Sequence, residues 1–280
     1  MGVAEKRTKG RHRSRWAFGA ASASLLAAAL GAALLGPGTS AALERNDGCP
    51  GLNPNVDISR GHDSATSRPQ VFYIGDSISA NPDQRAIYAQ KNWDLHRWRT
   101  IVIAHGGAKI ESHRCLNWLS FYYAHQGAEK AVVIELGTND IFQIWDANWP
   151  FLGGQPPMAY NTRLLEISYV FNSMNWVANY LRNKCVIWVG LNQWRDSIAD
   201  DRDVAKAFND HLKALTQNHS NLHYADYTSL ILNNQKFQDS LYEYDPRHPE
   251  YGRPDGIHPT YLGRWELGAW ISGRVDHFCI

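Results

Sequence analysis

Three residues of this chain have the types and the spacing to carry out covalent catalysis. Ser77 follows the apolar run 71–74 and Gly75, a pattern typical of a buried strand that enters a tight turn. Asp255 and His258 are three residues apart, so their side chains are neighbours on one turn. An imidazole can take the proton of a serine hydroxyl, and a carboxylate can hold that imidazole in the required tautomer. The set predicts acyl transfer through a serine nucleophile.

Acyl transfer also requires hydrogen-bond donors for the oxyanion of its tetrahedral intermediate. The candidates are the backbone N–H of Ser77, an N–H in the Gly106–Gly107 turn and the side-chain amide of Asn139. Each follows the end of a predicted strand, and the carboxyl ends of strands are where open α/β sheets place their active sites. We therefore expect all of these groups at one edge of a sheet.

Each of these motifs also has an ordinary structural explanation. The Gly-Asp-Ser at 75–77 is compatible with a simple turn, and the Gly-Thr-Asn-Asp at 137–140 with an Asx turn that caps a helix. The Asp-x-x-His at 255–258 is compatible with a helix start that carries a solvated histidine. Their common position at strand ends and helix starts, with roles that do not overlap, favours a catalytic site.

The elements that must position these residues alternate along the chain. Helical patterns with apolar residues every three or four positions separate the predicted strands, and a last helix is predicted after Pro259. This alternation predicts an α/β fold with a parallel sheet of about five strands that is covered on both faces. The predicted strands are 71–75, 100–104, 131–136, 185–190 and 222–226.

The first 42 residues have the layout of a secretory signal peptide. Six Lys and Arg residues precede the uncharged, Ala- and Leu-rich run 17–36, and small residues at 39–42 offer a cleavage site. An uncleaved membrane anchor is the alternative, since the apolar run is about long enough to span a bilayer. We expect residues 43–69 to form an extended arm and residues 70–280 to form the catalytic domain.

The charge balance changes once the leader is removed. Residues 1–42 contain six of the 28 Lys and Arg and one of the 27 Asp and Glu, so the remainder carries a formal net charge of −4. Nucleic-acid binding depends on neutralising phosphates, so an acidic mature chain is a poor candidate for it.

The chain has four cysteines, an even number that suggests two disulfides in an exported protein. Cys185 opens a predicted strand and Cys279 ends the last predicted helix, and both points lie at the sheet edge away from the active site. This favours Cys185–Cys279, which leaves Cys49–Cys115. The alternative is one disulfide and two buried thiols. The spacing of the cysteines matches no zinc pattern.

Four sequence blocks resemble those of the SGNH hydrolases, also called the GDSL esterase/lipase family. The resemblance covers about residues 71–277 and places the nucleophile on Ser77, an oxyanion amide on Asn139 and the acid–base pair on Asp255 and His258. The glycine block matches residues 105–108; its oxyanion glycine falls on Gly107, with Gly106 as the rival. The resemblance implies a flavodoxin-like three-layer α/β/α fold, no metal or other cofactor, and hydrolysis of ester or acetyl groups on lipids or carbohydrates.

Two features of residues 75–79 bear on the assignment of the family. Ile78 stands where the family's second name has leucine, which leaves the subfamily open, and 75–79 does not match the Gly-x-Ser-x-Gly elbow of ordinary α/β-hydrolases.

The long aromatic segments 141–160 and 233–254 are expected either to shape substrate access or to pack onto the domain.

The sequence therefore predicts a secreted or envelope-located serine esterase, acting as a monomer on a small-molecule, lipid or glycan ester. One alternative is an O-acyltransferase of cell-envelope glycan that uses the same site. The other is an exported binding protein that has lost turnover, although all four blocks are intact. No glycine-rich nucleotide-binding motif follows any predicted strand.

Overall fold

The computed structural model of the chain describes its residues in several ranges. The chain divides into two units, Met1–Arg45 and Asn46–Ile280, and the described residues all belong to the second. The predicted leader, Cys49, Cys115 and Asp255 lie outside the described residues. The described residues are 58–60, 69–79, 98–104, 107–110, 122, 129–145, 160–193, 199–242 and 256–279.

Six strands and six helices lie within these ranges. The strands are β1 (Ile58–Arg60), β2 (Gln70–Gly75), β3 (Arg99–Ala104), β4 (Glu129–Glu135), β5 (Cys185–Val189) and β6 (Leu222–Ala225). The helices are α1 (Thr138–Trp145), α2 (Tyr160–Tyr180), α3 (Ala199–Asn218), α4 (Tyr227–Asn233), α5 (Gln235–Tyr242) and α6 (Tyr261–Phe278).

The strands form one sheet in the order β1-β3-β2-β4-β5-β6. Strands β2 to β6 are mutually parallel, which confirms the predicted five-stranded parallel sheet. The predicted bounds of these strands are correct to within two residues. Strand β1 adds an antiparallel edge strand against β3. It lies inside the segment that was expected to be only an extended arm.

Two apolar clusters, one on each face of the sheet, form the core. Alternate side chains of β2 point to opposite faces, as the pleat of a strand requires: Phe72 and Ile74 join one cluster, while Val71 and Tyr73 join the other. Helices α2 and α3 supply Met174 and Leu212 to the first cluster, and α4 to α6 supply Ile231, Phe237 and Ile271 to the second. The result is the predicted three-layer α/β/α arrangement, and burial on both faces explains the continuous apolar strands.

The turns at the carboxyl ends of β2, β3 and β4 lie side by side. Gly75, the last residue of β2, pairs in register with Ala104 on β3 and Glu135 on β4. The sheet therefore brings the segments that follow these three strands to one edge, although they are far apart in the sequence.

The disulfide Cys185–Cys279 is present, and it links the first residue of β5 to the residue after α6. It lies at the amino end of the parallel strands, at the opposite edge of the sheet from the Ser77 turn. The two long aromatic segments are partly helical: α1 takes in 141–145 and α5 takes in 235–242. Among the described helices, none is both long and apolar enough to cross a bilayer.

Candidate active site

The nucleophile candidate lies on a tight turn directly after β2. The Ser79 N–H donates to the Asp76 carbonyl oxygen at 3.2 Å, and the Ile78 N–H donates to Asp76 Oδ1 at 2.9 Å. A Cβ on Gly75 would lie 2.9 Å from Ser79 Cβ, closer than real Cβ atoms come, so only glycine fits at the strand end. These contacts hold Ser77, which is half-buried, at the carboxyl edge of the sheet.

The histidine candidate reaches the same point from the other end of the chain. His258 Nε2 lies 2.9 Å from Ser77 Oγ across 181 residues of sequence. The backbone before the histidine is fixed by Gly256, which adopts a φ of 72°, donates its N–H to the Leu241 carbonyl oxygen and accepts from Asn192 Nδ2 at 3.2 Å. Ser77 and His258 are therefore together at hydrogen-bond distance, as acyl transfer requires.

The Asn139 amide connects two of the turns at this edge. Its Nδ2 lies 3.2 Å from Asp76 Oδ2 and 3.0 Å from the Ala108 carbonyl oxygen. The two amide hydrogens thus have acceptors within the protein, and donation to an oxyanion would require one of these bonds to be shared or released. The preceding Gly137 has a φ of 131°, and a Cβ there would lie 2.5 Å from the Phe208 ring. This glycine permits the sharp turn that starts α1.

Gly107 has the geometry of a backbone donor at an open position. Its φ is 81°, which favours glycine, and a Cβ on it would meet nothing within 4 Å. The segment that follows is held by the Ile110 N–H, which donates to Asp140 Oδ2 at 3.1 Å. The rival Gly106 lies outside the described residues.

Asp76 is a buried carboxylate to which the sequence analysis gave no function. Burial raises its pKa from 3.8 to about 7, and Asp140 adds a smaller increase. The Ile78 N–H, the charge of His258 and the Thr138 side chain oppose this rise in pKa. The carboxylate lies at the Ser77 turn and accepts hydrogen bonds from the Ile78 N–H and from the Asn139 amide. Its position next to the serine was a possible signal in the sequence, but only the fold shows that it is buried.

A second buried carboxylate, Glu135 at the end of β4, was also missed. Its Oε2 accepts from the Ser79 hydroxyl at 2.7 Å and from the Asp76 N–H at 3.4 Å. A glutamate that interrupts the apolar run before Gly137 was the available signal, because a charged residue in a doubly covered strand must find partners.

Within the part of the chain that the structure describes, no group of three or more His, Cys, Asp and Glu side chains could hold a metal ion.

Comparison with solved structures finds the same fold in known esterases. The chain matches a variant of Axe2, an acetyl-xylooligosaccharide esterase from Geobacillus stearothermophilus, with a TM-score of 0.51 and 12% identity over 76% of this chain and 94% of that one. It matches a member of the lipolytic G-D-S-L family from Veillonella parvula with a TM-score of 0.50 and 14% identity over 74% and 98%. At these identities the likeness shows the fold alone.

Comparison with protein families gives a more specific result. No curated protein sequence matches this chain closely enough to be counted as a relative. Residues 73–265, more than half of the chain, match the GDSL-like lipase/acylhydrolase family, and this range takes in the Ser77 turn, the Asn139 turn and His258. The chain therefore belongs to the GDSL-like lipase/acylhydrolase family and is an ester-hydrolysing enzyme with the SGNH hydrolase fold.

Proposed function

We propose that this protein is a secreted serine esterase that cleaves carboxylic esters through an acyl-enzyme on Ser77. The observation that carries the proposal is the distance of 2.9 Å between Ser77 Oγ and His258 Nε2, at the carboxyl edge of a parallel sheet. A serine hydroxyl is a weak nucleophile until a base takes its proton, and the imidazole is in position to do so.

In the first half of the reaction, Ser77 Oγ attacks the ester carbonyl carbon while His258 Nε2 takes the hydroxyl proton. Asp255 holds the imidazole in the required tautomer and offsets its positive charge. The N–H groups of Ser77 and Gly107 and the Asn139 amide stabilise the oxyanion. The intermediate then collapses, the carbon–oxygen bond to the alcohol breaks, and His258 gives its proton to the departing alkoxide.

In the second half, water replaces the alcohol. His258 takes a proton from the water, whose oxygen attacks the acyl carbon on Ser77. The same donors stabilise the second oxyanion, and collapse releases the carboxylic acid as the proton returns to Ser77 Oγ. The open backbone position of Gly107, with its positive φ, and the position of Asn139 next to the Ser77 turn support the donor assignment. Because Asn139 already donates to Asp76 and Ala108, an oxyanion has to share or displace one of those acceptors.

The proposed substrates are lipid esters or O-acylated carbohydrates. Both belong to the range of the family, and the similar Axe2 structure is named as an esterase of acetylated xylo-oligosaccharides.

Export is supported by the basic start of the chain and the apolar run 17–36. N-terminal sequencing of the exported protein is expected to begin at residue 43, whereas retention of residue 1 in a membrane fraction would contradict cleavage.

The test is release of nitrophenol from acetyl, butyryl, octanoyl and palmitoyl nitrophenyl esters by the purified protein and its Ser77→Ala variant. We expect wild-type turnover and a loss in the variant of several orders of magnitude, on the order of 10⁴-fold or more. Preference for acetyl would favour a carbohydrate deacetylase, and preference for long chains a lipase. Normal turnover by Ser77→Ala would refute the assignment, and no turnover by folded wild-type protein would favour a transferase that needs its own acceptor.

A further inference from the structure

Glu135 contacts the catalytic turn on both sides of Ser77. Its Oε2 accepts from the Asp76 N–H and from the Ser79 hydroxyl, and these residues flank the nucleophile in sequence. The Ser79 hydroxyl also forms a hydrogen bond with the Tyr73 hydroxyl, and Tyr73 is fully buried. One carboxylate oxygen at the end of β4 therefore accepts hydrogen bonds from two groups of the turn that follows β2.

A buried cation lies on α6, the helix that follows the histidine. Arg264, in the first turns of α6, is only 5% exposed, and its Nε donates to the Pro259 carbonyl oxygen at 3.1 Å. Pro259 directly follows His258. Burial is the main influence on Glu135 and raises its pKa; the charge of Asp76 raises it further, and the charge of Arg264 lowers it. Glu135 thus holds the serine turn, while Arg264 holds the backbone next to His258.

We infer that Glu135 is a positioning residue that sets the geometry of Ser77 relative to His258. It holds the serine turn through the two hydrogen bonds that it accepts, from the Asp76 N–H and the Ser79 hydroxyl. This inference rests on the proposed function, because it assigns Glu135 to the same Ser77–His258 pair. Nothing places Glu135 against the substrate, so it acts only through the groups it holds.

The packing around Gly75 leaves the Glu135 side chain little room to move. A Cβ on Gly75 would lie 3.0 Å from Glu135 Oε2 and 2.9 Å from both Ser79 Cβ and Tyr73 Cε1. The carboxylate is therefore packed against the backbone of the strand end as well as hydrogen-bonded to the turn. A change at residue 135 is expected to move Ser77 rather than to leave a local gap, since close-packed interiors transmit such shifts.

The chain offers a matched control in Glu129, at the other end of the same strand. Glu129 is also buried, accepts from the Tyr122 hydroxyl at 2.7 Å and pairs with Lys184 Nζ at 2.9 Å. Replacing either glutamate by glutamine changes a buried carboxyl group that accepts a hydrogen bond from a hydroxyl donor. Only Glu135 contacts the catalytic turn, so the two substitutions separate a loss of stability from a loss of positioning.

The experiment compares kcat and KM for nitrophenyl acetate in the full-length wild type and in Glu135→Gln, Glu129→Gln, Ser79→Ala and Ser77→Ala. Thermal unfolding of each variant is measured in parallel. We expect Glu135→Gln to lower kcat about 10- to 100-fold with KM changed by no more than about twofold, because a displacement near 1 Å can cost about that much. Ser79→Ala removes one of the two donors and should lower kcat about 3- to 10-fold. Glu129→Gln should lower the unfolding temperature while kcat stays within about threefold of the wild type.

Equal effects of Glu135→Gln and Glu129→Gln on kcat would overturn the inference, and so would a change confined to KM. If Glu135→Gln does not fold, the Ser79→Ala variant tests the inference, and an unchanged kcat in that variant would overturn the inference. Wild-type rates in Ser77→Ala would instead refute the proposed function, so the two failures are distinguishable.

Discussion

Asp76→Asn is expected to change how the stability of the protein depends on pH. The Asp76 carboxylate is fully buried, and burial raises its pKa from 3.8 to about 7. Its two oxygens have separate donors, since Ile78 N–H donates to Oδ1 and Asn139 Nδ2 donates to Oδ2. Asparagine keeps one acceptor oxygen, replaces the other with a donor and cannot ionise.

The magnitude follows from the shift in pKa. A rise from 3.8 to about 7 is roughly three units, or on the order of 4 kcal/mol at 1.36 kcal/mol per unit. Because the folded-state pKa is above the unfolded value, the folded protein keeps a proton over a pH range in which the unfolded chain has lost it. The stabilisation is therefore fully present below about pH 4 and is lost as the pH rises through about 7.

The assay is urea unfolding of wild type and Asp76→Asn at about pH 4 and about pH 8, with Asp210→Asn as the control. The Asp210 side chain is 52% exposed and pairs with Lys206 on the surface of α3. The free energy of unfolding of the wild type, minus that of Asp76→Asn, should fall by about 4 kcal/mol between the two pH values. For Asp210→Asn the corresponding difference should change by less than about 1 kcal/mol. A difference for Asp76→Asn that stays constant or rises with pH would refute this account of the buried carboxylate.

Two further predictions concern the oxyanion amide and the disulfide. Asn139→Ala should lower kcat about 10²- to 10³-fold with KM little changed, and a kcat within about threefold of the wild type would contradict its assignment as an oxyanion donor. Replacing Cys185 and Cys279 by serine opens a link with a sequence separation of 94 and should lower the free energy of unfolding by about 4–5 kcal/mol, measured by urea unfolding. Activity at low temperature should survive because the disulfide is at the opposite edge of the sheet from Ser77. A loss of activity in folded protein would contradict the view that the disulfide and the site are independent.

Local patterns in the sequence were sufficient for much of the fold. Strands β2 to β6 were predictable because strands covered on both faces are continuous apolar runs that end at turn residues. The last helix was predictable from Pro259 and the apolar spacing that follows it. Since parallel strands place their carboxyl ends at one edge, the meeting of Ser77 and His258 followed from the order of the elements.

The features that sequence analysis missed depend on contacts between distant segments. Strand β1 has only three residues and is defined by its pairing with β3, which no local pattern reveals. Asp76 and Glu135 are buried where the turn after β2 meets the end of β4, two segments that are far apart in the sequence. The contacts of Asn139 with Asp76 and the Ala108 carbonyl likewise exist only after three strand ends have been brought together.

The most direct test of the account is to trap the acyl-enzyme. Wild-type protein and Ser77→Ala are mixed with nitrophenyl acetate, quenched in acid within the first turnovers, digested and analysed by mass spectrometry. The account predicts one acetyl group on the peptide that contains Ser77 in the wild type, and neither the adduct nor turnover in the variant. An acetyl group on another residue that turns over at the catalytic rate, or undiminished hydrolysis by Ser77→Ala, would contradict it.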